Sequence, residues 1–172
     1  MALDWRGFEL HPGIPVGGMA LDEMFGAERV RKMRPYLVDF ASAQGVTGMV
    51  VPDHKPNTRR ALAIAEWARG QGRLHEVRTR LMDAYWREGL DLEDDGVLSR
   101  VAVAAGLDGP AALRGSREPG ILERVAAMGR EAARAGVTGI PTFDIGGERV
   151  VGAQPYDVLA AVARRVGTEP AR

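Results

Sequence analysis

The protein has 172 residues, of which 45% are hydrophobic and 27% charged, and its 23 Lys and Arg balance its 23 Asp and Glu to a formal net charge of zero. That size and composition are typical of a globular domain that buries a core without disulfides, and the balanced charge disfavours a nucleic-acid-binding protein, which usually has a basic excess. The sequence has neither an apolar run of about 18 residues that predicts a membrane span nor the basic and apolar regions of an N-terminal secretory signal, so we expect a cytoplasmic protein.

The first part of the chain predicts one strand followed by helices. Leu3–Leu10 carries Leu, Trp and Phe side chains and is interpreted as a short strand that ends at His11-Pro12. Helices are predicted from about residue 27 to residue 135, because apolar residues recur there every three or four positions. The face of the first helix that we expect to be buried carries Val30, Met33, Leu37 and Phe40.

The C-terminal part predicts a β-hairpin and a last helix. Residues 142–151 form the hairpin, because two β-forming stretches flank Gly146-Gly147, a pair typical of a two-residue turn. Pro155 suits the first position of a helix over residues 155–166, and residues 168–172 are predicted to fray. The order of elements predicts an α/β fold in a single domain of residues 1–172.

Several segments carry a family resemblance. The octapeptide Gly-Val-Thr-Gly-Ile-Pro-Thr-Phe at 136–143 resembles the loop before the third core strand of DsbA-type thioredoxin folds, and Val-Gly-Ala-Gln-Pro at 151–155 is similar to the start of that family's last helix. Trp5–Pro12 resembles the second core strand of the FrnE-like subgroup. The resemblance covers nearly the whole chain. It implies thioredoxin elements at 3–10 and 137–167, separated by a helical insertion at about 20–135.

The resemblance also implies a ligand-binding loop. In thioredoxin folds the bond that corresponds to Ile140–Pro141 is cis, and the loop presents its main chain to an extended peptide or to glutathione. The substrate-binding residues implied here are Gly139, Ile140, Pro141 and Thr142. Asn57 and Gln154 are further candidates for the wall of a pocket, although Asn57 is explained equally well as a helix N-cap.

The family activity is thiol–disulfide oxidoreduction, and this chain lacks the residues for it. The sequence contains no cysteine, whereas the exchange needs an activated thiolate and a second, resolving thiol. The family places its Cys-x-x-Cys motif after a first strand, and Met1 falls just before the second strand. We therefore expect that first strand–helix unit to be missing, with no catalytic residue and no redox activity unless another polypeptide supplies the motif.

Two other functions remain open. One is that of a glutathione-binding isomerase or transferase of the 2-hydroxychromene-2-carboxylate isomerase type, for which glutathione would be the one cofactor. The other is that of a non-catalytic peptide-binding module. A metal site is not expected, because His54 beside Asp53 has no third ligand at a suitable spacing.

The missing strand would leave open sheet edges. In the family it lies between the second strand and the strand that follows Pro141, so Leu3–Leu10 and Thr142–Ile145 would both lack a neighbour. Open apolar edges invite pairing with another chain. We expect the gap to be closed directly, or filled by a second chain or a second copy in a homo-oligomer; the third alternative is that the true start lies upstream.

Overall fold

The computed structural model describes residues 3–167 and contains short strands and eight helices within them. The predicted tail at 168–172 lies outside the described residues. The elements are β1 (Met19–Ala20), α1 (Leu21–Phe25), α2 (Ala27–Ala43), β2 (His54–Lys55), α3 (Arg59–Gly70), α4 (Leu74–Trp86), α5 (Asp95–Ala104), α6 (Gly109–Gly115), α7 (Pro119–Arg134), β3 (Thr142–Ile145), β4 (Glu148–Val151) and α8 (Tyr156–Arg165).

The chain divides into two compact units. One consists of Met1–Leu10 and Ala127–Arg172, and the other of His11–Ala126. The single domain predicted for residues 1–172 stays a prediction. No helix among the described residues is both long and apolar enough to cross a bilayer.

The helical unit is built around a core of apolar side chains from α3, α4 and α5. Ile64, Val77 and Leu98, one from each helix, are fully buried, and burial of such a side chain contributes about 1.5–3 kcal/mol. Asp94 and Asp108 start α5 and α6 by accepting hydrogen bonds from main-chain N–H groups of the first turn. The helices predicted between residues 27 and 135 therefore form where the apolar periodicity indicated.

Three elements of this unit were missed. β1 and β2 form an antiparallel pair in which Met19 lies opposite Lys55 and Ala20 opposite His54. α1 follows β1 directly. A two-residue strand carries no detectable alternation of apolar and polar residues, so this small sheet depends on tertiary contacts that the local sequence does not reveal.

The hairpin predicted over residues 142–151 is confirmed. β3 and β4 pair antiparallel, with Ile145 opposite Glu148 across the turn. Gly146 and Gly147 have φ values of 58° and 88°, the positive values that a tight two-residue turn requires and that glycine adopts without steric cost. One face of the hairpin packs on α8, which begins directly after Pro155.

The strand predicted at Leu3–Leu10 is wrong. This segment has no strand structure, and the sheets of the described residues consist of β1 with β2 and β3 with β4. A strand is defined by its hydrogen-bonded neighbour, and a run of Leu, Trp and Phe supplies an apolar face without supplying that neighbour. Leu3 and Trp5 remain 65% and 37% exposed.

Candidate functional site

The loop before β3 has a fixed shape. The Ile140–Pro141 peptide bond is cis. Thr142 Oγ1 donates a hydrogen bond of 2.7 Å to the carbonyl oxygen of Gly139, which closes the loop on itself. Ile140 is 52% exposed. The four predicted substrate-binding residues are consecutive in the sequence, and the loop that they form presents the apolar side chain of Ile140 to solvent.

The hairpin register determines which main-chain groups of β3 are still available. The N–H of Gly152 donates to the carbonyl oxygen of Pro141 at 2.8 Å. In an antiparallel ladder every second residue directs both main-chain groups toward the partner strand, and the residues between direct theirs away. Pro141 and Phe143 therefore face β4, whereas Thr142 and Asp144 direct their N–H and C=O groups to the opposite edge.

That opposite edge is open within the described part of the chain. β3 pairs there with β4 alone. An edge with outward-directed N–H and C=O groups can accept a further extended segment, because it offers the donors and acceptors of a ladder. The edge is continuous with the loop, since Thr142 belongs to both.

Two side chains of the hairpin hold this arrangement in place, and the sequence reasoning missed both. Asp144 Oδ1 accepts a hydrogen bond of 3.1 Å from the N–H of Gly147 in the turn. Arg149 donates to the carbonyl oxygen of Ala135, just beyond the end of α7, and its Nη2 lies 3.9 Å from Asp144 Oδ2. Counting outward from Gly146-Gly147 pairs Asp144 with Arg149, so the turn signal could have found them.

A small apolar surface adjoins the loop. Val151, on β4 opposite Thr142, is 53% exposed, and a Cβ atom at Gly139 would lie 4.0 Å from its Cγ1. Val151 lies across β3 from the open edge, so it adds aliphatic area next to the loop and not at that edge. Ile140, in the loop, is the apolar side chain that is available to a bound segment.

An ion pair fastens the hairpin to the last helix. Arg165 Nε donates to Glu148 Oε1 at 2.9 Å, and its Nη2 contacts the other carboxylate oxygen. The hydrogen bond from the Arg165 guanidinium lowers the pKa of Glu148 below its ordinary value. Both side chains are exposed, so the pair positions β4 on α8 and contributes little to stability.

The amides of the two predicted pocket residues are engaged locally. Asn57 Nδ2 donates to the carbonyl oxygen of Ile14 at 2.7 Å, and its Oδ1 accepts from the N–H of Arg59 at 3.0 Å, at the start of α3. Gln154 Nε2 donates to the carbonyl oxygen of Val151 at 3.0 Å. Each side chain thus has a structural contact of its own, Asn57 in the helical unit and Gln154 in the unit that carries the hairpin.

Potential metal ligands do not converge in the part of the chain that the structure describes. No group of three or more His, Asp or Glu side chains is close enough there to hold an ion. The site is therefore described by main-chain edges, one apolar surface and the Asp144–Arg149 pair.

Comparison with known proteins gives matches of three kinds. A family model described as a DSBA-like thioredoxin domain matches residues 1–163. The uncharacterized protein YwbO of Bacillus subtilis (strain 168) is 27% identical over 161 residues, covering 91% of this chain and 78% of that protein. The crystal structure of a probable DsbA oxidoreductase from Streptomyces coelicolor matches with a TM-score of 0.82 and 26% identity, covering 97% of this chain and 76% of that chain.

Proposed function

This chain belongs to the DSBA-like thioredoxin domain family, and from that premise we propose that its loop Gly139–Thr142 binds an extended segment of a protein substrate. The family supports a role in thiol–disulfide chemistry, as does the Streptomyces relative, a probable DsbA oxidoreductase. Assignment to the FrnE-like subgroup and a cytoplasmic location remain predictions.

The observation that carries this proposal is the direction of the main-chain groups on β3. Thr142 and Asp144 offer N–H and C=O groups at an edge that continues from the loop. An extended peptide that adds to such an edge gains main-chain hydrogen bonds, and its alternate side chains contact the flanking surface. Ile140, which precedes Pro141 and is exposed, supplies an apolar part of that surface.

We propose further that this polypeptide holds a substrate without exchanging its disulfides. Exchange requires a thiolate that attacks a disulfide sulfur, and a second thiol that resolves the mixed disulfide. The chain contains no cysteine, and a Ser or Thr hydroxyl forms no comparable bond to sulfur. Redox turnover would then need a thiol pair that these 172 residues do not supply.

The amide contacts favour a peptide over glutathione as the ligand. A glutathione site would need polar side chains aimed at the ligand, and the predicted candidates were Asn57 and Gln154. Both direct their amide Nδ2 or Nε2 at main-chain carbonyl groups of this chain. The open edge of β3, in contrast, has main-chain N–H and C=O groups that can pair with a peptide. Glutathione is therefore kept as an arm of the experiment.

The experiment measures binding of a fluorescein-labelled peptide of alternating apolar and polar residues by fluorescence anisotropy. Its matched control is the same peptide with N-methylated amides, which cannot pair with a strand edge. We expect saturable binding of the first peptide alone. Equal binding of the N-methylated peptide would contradict main-chain pairing. A saturable thermal shift with millimolar glutathione, without peptide binding, would favour the isomerase or transferase alternative.

A matched pair of variants separates the edge from the loop. Thr142→Pro removes the outward N–H of β3, which the hairpin does not use, whereas Thr142→Val keeps that N–H and loses the hydroxyl. Both lose the hydrogen bond to Gly139. We therefore expect Thr142→Val to retain more peptide affinity than Thr142→Pro, with both variants folded by circular dichroism.

A further inference from the structure

The exposed side of α2 differs from what its sequence predicts. Phe40 was expected on the buried face, but it is 40% exposed, and Tyr36, one turn before it, is 66% exposed. Their rings stack at a centroid distance of 6.3 Å. Arg29 and Lys32 lie on the same side of the helix, because residues 29, 32, 36 and 40 are separated by three or four positions. This surface is called the α2 stripe.

One end of the α2 stripe borders a shallow, open depression, and aromatic side chains are exposed at the other end. A cleft of about 410 Å³ lies beside the start of the helix and is lined by Phe25, Gly26, Glu28, Arg29 and Lys32. The stacked rings of Tyr36 and Phe40 project from the other end. The distance along the axis from Arg29 to Phe40 is about 16 Å, at 1.5 Å per residue.

This shape is complementary to itself. If two copies of α2 lie antiparallel about a twofold axis near Met33, the aromatic pair of each copy falls over the cleft of the other. A twofold interface requires that kind of match, in which one patch contains both the projecting and the receiving part.

The charges at the ends of the α2 stripe match in the same arrangement, while the two copies of Lys32 approach each other near the axis, each already paired with its own Glu28. Arg29 lies over the Phe25 ring at 5.7 Å, and Lys32 pairs with Glu28 at 2.7 Å. An antiparallel partner brings its Asp39 beside Arg29 and its Tyr36 and Phe40 beside this cationic end. Opposite charge and a cation–π contact then replace solvent on both sides of the axis.

We propose that the α2 stripe is a self-docking surface, on which a second copy of this chain binds antiparallel and inserts Phe40 beside Phe25. This inference concerns the helical unit and is independent of the peptide-binding loop. Two such contacts are made at once, since each copy supplies one projecting pair and one cleft. A single helix face is small for an obligate dimer, so the association is weak and depends on concentration.

The test is sedimentation equilibrium of the whole chain over concentrations from micromolar to millimolar. The expected result is a mass that rises from monomer toward dimer, and a dissociation constant at least about tenfold weaker in Phe40→Glu. Val103→Glu on α5 is the matched control, because Val103 is also exposed, at 59%, and should leave the constant unchanged.

A charge swap tests the antiparallel orientation. Arg29→Asp and Asp39→Arg should each weaken the dimer, because each places like charges together across the axis, and the double variant should recover affinity. A monomer at every concentration would overturn the proposal. So would a dimer that Phe40→Glu leaves intact, or a double variant no tighter than the two single ones.

Discussion

A Cβ atom added to Gly115 would lie 2.2 Å from Cδ1 of Trp67, so the indole ring occupies the space that any larger residue would need. Gly115 ends α6 and is buried, while Trp67 extends from α3 against the core. The two helices pack closely at this point because one of them has no side chain there.

Replacing Gly115 with Ala should therefore destabilise the helical unit. Overpacking of this kind costs about 1–3 kcal/mol, which urea unfolding followed by circular dichroism would detect. Gly129→Ala is the control, because nothing lies within 4 Å of a Cβ there and Ala in a helix interior stabilises by about 0.5–1 kcal/mol. Equal stability of the two variants would contradict the close packing.

The two glycines of the hairpin turn should differ in how much their replacement by Ala destabilises the protein. Gly146→Ala and Gly147→Ala both force Ala to a positive φ, which costs about 1–2 kcal/mol. Only the Cβ at Gly146 also meets Val166, at 2.9 Å from its Cβ. Gly146→Ala should thus be the less stable of the two by thermal unfolding, and the reverse order would show that α8 does not constrain the turn.

The environment of His11 should make the folded protein less stable in mild acid. Its ring contacts Phe25 edge-on at 5.9 Å, and burial, followed by the positive charge of Lys55, lowers the pKa of His11 below its ordinary 6.5. Between the folded-state value and 6.5 the unfolded chain binds a proton that the folded chain does not, so stability falls as the pH is lowered through that interval.

His11→Asn tests this linkage. The free energy of unfolding of the wild-type protein, minus that of the variant, should decrease as the pH drops below 6.5. The reason is that the variant has no titratable group at position 11. Carboxylates titrate equally in both proteins and cancel from the difference. A difference that does not change with pH would contradict the prediction.

Asn57 should prove structural and not ligand-binding. Asn57→Ala removes the donor to Ile14 and the acceptor for Arg59 and should cost about 1–3 kcal/mol. Asn57→Asp keeps the acceptor but sets a carboxylate oxygen against the carbonyl oxygen of Ile14 and near Glu93, so it should also be less stable than the wild type. Peptide affinity, measured by anisotropy at a temperature where both variants are folded, should stay at the wild-type value; a selective loss of affinity would return Asn57 to the site.

The redox prediction is the simplest to measure. Added to insulin and dithiothreitol, the 172-residue chain should not accelerate disulfide reduction, which is followed by the turbidity of the released B chain. Acceleration by the purified polypeptide would overturn the proposal that it holds substrates without exchanging their disulfides. The measurement needs protein free of cysteine-containing contaminants, which thiol titration checks.

Sequence patterns predicted the elements whose signals are local. Gly146-Gly147 defined the hairpin because few other residues adopt two consecutive positive φ values, and helical periodicity placed α3, α4 and α5. The strand prediction for Leu3–Leu10 failed because strand pairing depends on a neighbouring strand that is distant in the sequence. The prediction that Phe40 is buried failed because helical periodicity identifies an apolar face but does not show which element covers it.

The candidate site was predictable in part for the same reason. The octapeptide at 136–143 marked the loop through family resemblance. Asp144 and Arg149 were missed, because their roles follow from the register across the turn and from the carbonyl group of Ala135. Asn57 was a candidate for a pocket by analogy, with a helix N-cap as an equal alternative, and only its contacts show how its amide is used.

The hydrogen bonds within the loop have a consequence for the thermodynamics of recognition. Thr142 donates a hydrogen bond to Gly139, and Gly152 donates one to Pro141. Asp144 accepts one from the turn, so these hydrogen bonds exist before any ligand binds. The protein side of the contact is thus preorganised, and the conformational entropy lost on binding is chiefly that of the incoming segment. Constraining a peptide in an extended form, for example by cyclisation, should raise its affinity by making the entropy of binding less unfavourable.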